Sequence, residues 1–167
     1  MADTASLREY LAAIERSLRA HFGDRIRQYG IYEPWDEDED EAEPKLKTPA
    51  LLIQVEGIEP DLAEDHAEGA IGIQLSMCVH ALLSLRTPRL QIALPELAAG
   101  VITLIAKQEA RVLRPPSNGN RWGLEGAVGL PEMIRAEPAD FSPGLHGHDG
   151  WAVRFEQTLY LPETLPR

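Results

Sequence analysis

Two histidines at 146 and 148 stand in the run Gly144-Leu145-His146-Gly147-His148-Asp149-Gly150, and by type they are the residues most suited to chemistry. Imidazoles two apart on an extended segment can share a zinc ion, and hydrolytic metal centres use loops of this kind with a neighbouring carboxylate. The pattern stops early. Asp149 follows directly, no further histidine comes after it, and His66 and His80 would have to arrive from distant segments. The glycines at 144, 147 and 150 suit a turn leading into a strand, so an exposed hairpin is the plainer expectation.

Cys78 and His80 are two apart in an alternating segment and therefore share a face, as a ligand pair or a nucleophile and its base would. No third partner is near them in sequence, and a lone cysteine ordinarily behaves as a small buried residue. Being the only cysteine, Cys78 excludes an intrachain disulfide and leaves too few thiolates for a structural zinc site, which fits a reducing cytosol. Asp36, Glu37, Asp38, Glu39, Asp40, Glu41 and Glu43 form a dense acidic run. Self-repulsion predicts a mobile, solvated loop over 36–43, serving solubility or, alternatively, a negative surface or cation site; the glycine of a calcium loop is missing. No phosphate-cradling glycine loop precedes a helix, and no serine sits in a nucleophile elbow. The expectation is therefore no catalytic centre, no cofactor and no metal. The alternative is a small cytosolic metal-dependent enzyme using His146, His148 and Asp149.

The elements that must position these residues follow from periodicity. A length of 167 residues predicts one domain spanning 1–167. Sixteen Lys and Arg against twenty-seven Asp and Glu give a net charge of −11, a field of the wrong sign for a general phosphate-binding surface. The N-terminus shows no signal-peptide pattern, and the run 98–106 is far short of a membrane span of ~20 residues. Leu7, Leu11, Ile14, Leu18 and Phe22 keep helical spacing, with Ser6 and Glu9 as a capping pair and Gly23 as the stop. A strand is predicted over 25–32, another over 50–55 left through Gly57 and Pro60, and a clean one over 71–80. Thr87-Pro88 predicts a helix start, capped by the hydroxyl with proline first, and Pro95 predicts a kink or break before a piece ending near Gln108. That helix is apolar nearly all round and should be covered on more than one side, by the sheet and either the first helix or another subunit. Short strands are expected at 111–113 and 130–136. The last segment, 151–161, alternates Trp151, Val153, Phe155, Gln157, Leu159 and Leu161 with Ala152, Arg154, Glu156, Thr158 and Tyr160. The fold class is α+β, an antiparallel-leaning mixed sheet with two main helices packed on one face.

This layout resembles the tail-terminator proteins of long-tailed bacteriophages, the minor tail protein U type and related Mu-like prophage tail proteins. The shared features are a capped N-terminal helix, a strand pair with an acidic insertion, a long strand, an apolar helix after a proline, and the closing strand Trp151-Ala152-Val153-Arg154-Phe155-Glu156-Gln157. They span roughly residues 6–161, whereas the run 36–43 and the Pro115-Pro116 loop depart from them. The resemblance implies a virion structural protein, assembled in the host cytoplasm and placed at the neck end of the tail. It would form a ring, expected to be hexameric, that caps the tail tube, stops its polymerisation and meets the head-tail connector protein. Its partners would be copies of itself, the tail tube protein and that connector, with no membrane. An acidic lumen would let genomic DNA pass without specific binding. Arg154, Glu156 and Tyr160, on the outer face of the closing strand, are the expected subunit or partner contacts.

Overall fold

A computed structural model describes residues 4–33, 46–61, 70–107, 119–139 and 147–162. The acidic run 36–43, His66, Gln108, the expected strand 111–113, the Pro115-Pro116 loop and His146 lie outside the described residues.

The first helix, α1 (Leu7–Phe22), begins and ends where its sequence signals stand. The Ser6 hydroxyl accepts from the Glu9 N–H at 3.1 Å, and the Ser6 N–H donates to the Glu9 carboxylate at 2.7 Å. That backbone bond, with the hydroxyl bond second, holds the Glu9 carboxyl below its usual pKa. Gly23, at φ 55, takes a conformation costly to a residue with a Cβ and closes the helix. Tyr10, Ala13, Ile14, Leu18 and Phe22 are buried.

Five strands form one mixed sheet: β1 (Gln28–Ile31), β2 (Ala50–Pro60), β3 (Ala70–Ser84), β4 (Glu132–Ala139) and β5 (His148–Pro162). Their spatial order is β1-β2-β3-β5-β4, with β1 parallel to β2 and every other pair antiparallel. The expected strand over 25–32 is reduced to β1, because Gly23–Arg25 form a single 3-10 turn that continues the end of α1. The second strand runs five residues beyond the expected 55. Gly57 does not end it: the register slips between Val55 and Gly57, a bulge that absorbs one residue and lets pairing continue to Pro60. The expected strand over 130–136 is displaced to β4. The segment before it still tracks β5, with Gly129 N–H donating to Thr158 O and Tyr160 N–H to Ala127 O, each at 2.9 Å.

The second helix, α2 (Leu90–Ile105), departs from expectation at its start and at its proline. Thr87 does not cap it. The Thr87 N–H closes a turn onto Ser84 O at 3.0 Å, and Arg89, at φ 53, is the residue flanking the first helical turn. Pro95 neither breaks nor divides the helix. The carbonyl that loses its partner there belongs to Gln91, an exposed residue, and water can replace the missing N–H. At the other end Asn120 returns to satisfy the last turn, its side-chain amide donating to Leu104 O and its backbone N–H to Ile105 O.

Both helices cover one face of the sheet. Ile14, Leu18, Val101 and Ile105 share a buried cluster with Ile53, Leu75, Val79, Val153 and Phe155. The helices meet where α2 has no side chain, at Gly100, whose place a Cβ could take only 3.3 Å from the Phe22 ring. On the opposite face, among the described residues, a small cluster forms, Ala50, Leu52 and Leu82 with Tyr32 and Leu46 against it. Among the described residues no helix is long and apolar enough to cross a membrane.

Candidate functional site on the open face of the sheet

Strand alternation sorts the chemical side chains. On β3 the odd positions 75, 77 and 79 face the helices, so Gln74, Ser76, Cys78 and His80 face away from them. The β5 register sets Glu156 opposite Ser76, Arg154 opposite Cys78 and Ala152 opposite His80. Arg154, Glu156 and Tyr160 thus share the open face, as the closing-strand pattern predicts.

Arg154 is engaged within its own chain. Its Nε donates to Glu56 Oε1 at 3.0 Å, and its Nη1 donates to Glu137 Oε1. Glu137 is the diagonal neighbour on β4, two positions from Arg135, which pairs directly with Arg154. Glu56 stands on β2, so the guanidinium must cross β3, and the small Cys78 opposite Arg154 makes room for it. The bulge enables the contact: Glu56 is the inserted residue between Val55, which partners Met77, and Gly57, which partners Ser76. One arginine therefore ties β2, β5 and β4 together across β3. Sequence alternation finds Arg154 but misses both of its acids, because Glu56 is brought there by a bulge and Glu137 from an edge strand.

Beside this triad, Gln74 Nε2 donates to Glu156 at 3.1 Å. His80 Nε2 lies 2.7 Å from Gln54 Oε1, and the Tyr32 ring lies 4.7 Å from the His80 ring. Cys78 Sγ and His80 Nδ1 are 3.9 Å apart, so the pair seen in the sequence does meet. Its electrostatics run against nucleophilic use. Burial, reinforced by the Glu56 charge, pushes the Cys78 thiol up to about 12, and burial pulls His80 below its usual value. An activated cysteine needs the reverse, a stabilised thiolate beside an imidazolium.

The histidine run is divided by the fold. His148 and Asp149 are the first residues of β5, opposite Ser84 and Leu83, and successive strand residues point to opposite faces. The Asp149 carboxylate accepts from the Gly150 N–H at 2.8 Å. Among the described residues no three His, Cys, Asp or Glu side chains gather in a way that could hold a metal ion.

On the helix side, Gln157 forms a polar centre that alternation places in the core without revealing its partners. Its Oε1 accepts from Tyr10 Oη at 2.6 Å and Trp122 Nε1 at 2.8 Å, and its Nε2 donates to the carbonyls of Asn120 and Gly129. Both donors and both acceptor positions of the amide are filled, and Gln157 is 1% exposed. This junction locks α1 and the segment 120–129 to β5. It is structural: the phenol of Tyr10 is fully buried and its pKa is raised by that burial. No protein-family model matches the chain, and no curated protein matches it.

Proposed function

We propose that the protein is a structural subunit of a phage tail, a terminator that forms a ring on the end of the tail tube, stops its growth and offers a surface for head joining. The observation that carries this is the order and placement of the elements. A capped helix, a strand pair interrupted by an acidic insertion, a long strand, a nearly all-apolar helix and a closing strand fold into one sheet layered by helices on a single face. That is the layout of the terminator proteins the sequence resembles. A net charge of −11 suits a ring through which DNA must pass without sticking.

The test is assembly of tail tubes from their tube protein with and without this protein. Tubes that stop at a uniform length and carry a ring of this chain at one end, visible in negative stain, are expected. Tubes of unchanged, open-ended length with no bound protein would overturn the proposal.

A further inference from the structure

Cys78 and His80 are metal ligands by type, the fold brings them together, and the function proposed above uses neither. They stand two apart on β3, both on the open face, and the sheet buries both: Cys78 is 0% and His80 8% exposed. Their facing atoms, Cys78 Sγ and His80 Nδ1, are 3.9 Å apart.

The tautomer of His80 is set from the far side of its ring. Gln54 Oε1 lies 2.7 Å from Nε2 and can only accept, so Nε2 carries the proton and Nδ1 turns its lone pair towards the sulfur. Metal-binding histidines are held in this way, one ring nitrogen donating to a neighbouring oxygen while the other ligates.

The separation suits one ion between two ligands. Bonds of ~2.3 Å to sulfur and ~2.0 Å to nitrogen set the two atoms ~4.3 Å apart in a straight line and ~3.5 Å apart at the tetrahedral angle. The pair, at 3.9 Å, is open beyond the tetrahedral spacing. Zinc asks for further ligands, and among the described residues no group of three His, Cys, Asp or Glu side chains could hold a metal ion. A thiolate and an imidazole alone suit a soft ion of low coordination number, copper(I) or its analogue silver(I).

Charge makes the same choice. A monovalent ion that replaces the thiol proton leaves the buried pair as neutral as before, whereas a divalent ion would leave a positive charge there. Around the pair stands one cation, Arg154, held by two carboxylates, Glu56 and Glu137, a balance that favours a cation over an anion. The Arg154 side chain that crosses beside Cys78 is 27% exposed, so the sulfur is covered on that side by an ion pair in contact with water.

We propose that Cys78 Sγ and His80 Nδ1 bind one copper(I) ion between them. The S–H bond breaks, bonds from sulfur and nitrogen to the ion form, the proton leaves to solvent, and no electron is transferred.

Silver(I), which keeps its oxidation state, is the first probe, added to the whole protein in chloride-free buffer; copper(I) follows, in competition with a chelator of known affinity. One ion per chain is expected, with one proton released, new near-ultraviolet absorption from the metal–thiolate bond and a raised thermal melt. The nitrogen resonance of His80 Nδ1 should shift on binding while Nε2 stays protonated. Zinc(II) at the same concentration should do none of this. Cys78→Ala should abolish binding, and His80→Gln should weaken it by roughly tenfold or more. Equal binding by the parent and His80→Gln would overturn the site, as would a melt that falls when silver is added. Should His80→Gln fail to fold, the parent decides alone: an Nδ1 resonance that does not move on saturation with silver would overturn the site.

Discussion

The amide of Gln157 spends all of its hydrogen-bonding capacity on partners in the core, so shape-preserving replacement by an apolar residue strands them. Gln157→Leu leaves the Tyr10 hydroxyl and Trp122 N–H buried without acceptors, at about 1–3 kcal/mol each, and should lower stability by about 3 kcal/mol in urea unfolding. Tyr10→Phe alone should cost about 1 kcal/mol, and the double variant less than the two together, since they share one bond. Arg154 is a different case. Arg154→Glu would set three carboxylates side by side, with an expected loss of about 1–2 kcal/mol, modest because exposed pairs are worth about 0.2–1 kcal/mol each. Adding Glu56→Arg should recover most of that loss in the same measurement, and no recovery would show that the triad is incidental. Cys78 makes stability depend on alkaline pH. In the unfolded chain the thiol ionises near 9.0, while the folded state holds its proton to about 12. The folded state is therefore favoured in full below pH 9, and this contribution is lost as pH rises from 9 towards 12. Thermal melts should fall more steeply over that window than those of Cys78→Ala, and the native thiol should resist labelling at pH 8 until denaturant is added.

At the scale of elements, α2 is the segment whose sequence and form disagree most. Pro95 removes one helical bond yet the helix continues, so Pro95→Ala should restore the bond to Gln91 and raise stability by about 1–3 kcal/mol. No gain in the denaturant midpoint would mean that the ring of Pro95 contributes packing of equal size. What the sequence reveals is what neighbouring residues decide. The Ser6–Glu9 cap, the Gly23 stop and the alternation through Ile71–His80 all reappear in the structure, because each is a local pattern. The losses have distant causes. Thr87-Pro88 carries a helix-start signature, but the chain turns back onto Ser84 there and passes through Arg89 in the left-handed conformation before the helix starts at Leu90. Gly57 reads as a strand end because a bulge depends on the facing strand, and the parallel pairing of β1 has no signal within four residues. Of the candidate site, Arg154 and Glu156 are legible from alternation. The acids that hold Arg154 are not, since Glu56 lies 98 residues away in sequence.

For the molecule as a whole, the decisive placement is that of β5, which enters between β3 and β4 rather than at an edge. Its register with β3 is unbroken from Ala70 opposite Pro162 to Ser84 opposite His148, and on its other side it carries β4. A chain ending before 148 would lack this interior strand with Phe155, Val153 and the Gln157 junction, and should show no cooperative unfolding transition by circular dichroism. Long-range strand pairing of this kind is also slow to form, because a large loop must close before any pair is made. The order of synthesis thus acts as a timer. While a ribosome is still short of residue 162, the nascent chain holds two unmatched strand edges and no finished sheet, a state in which chaperones have most to bind.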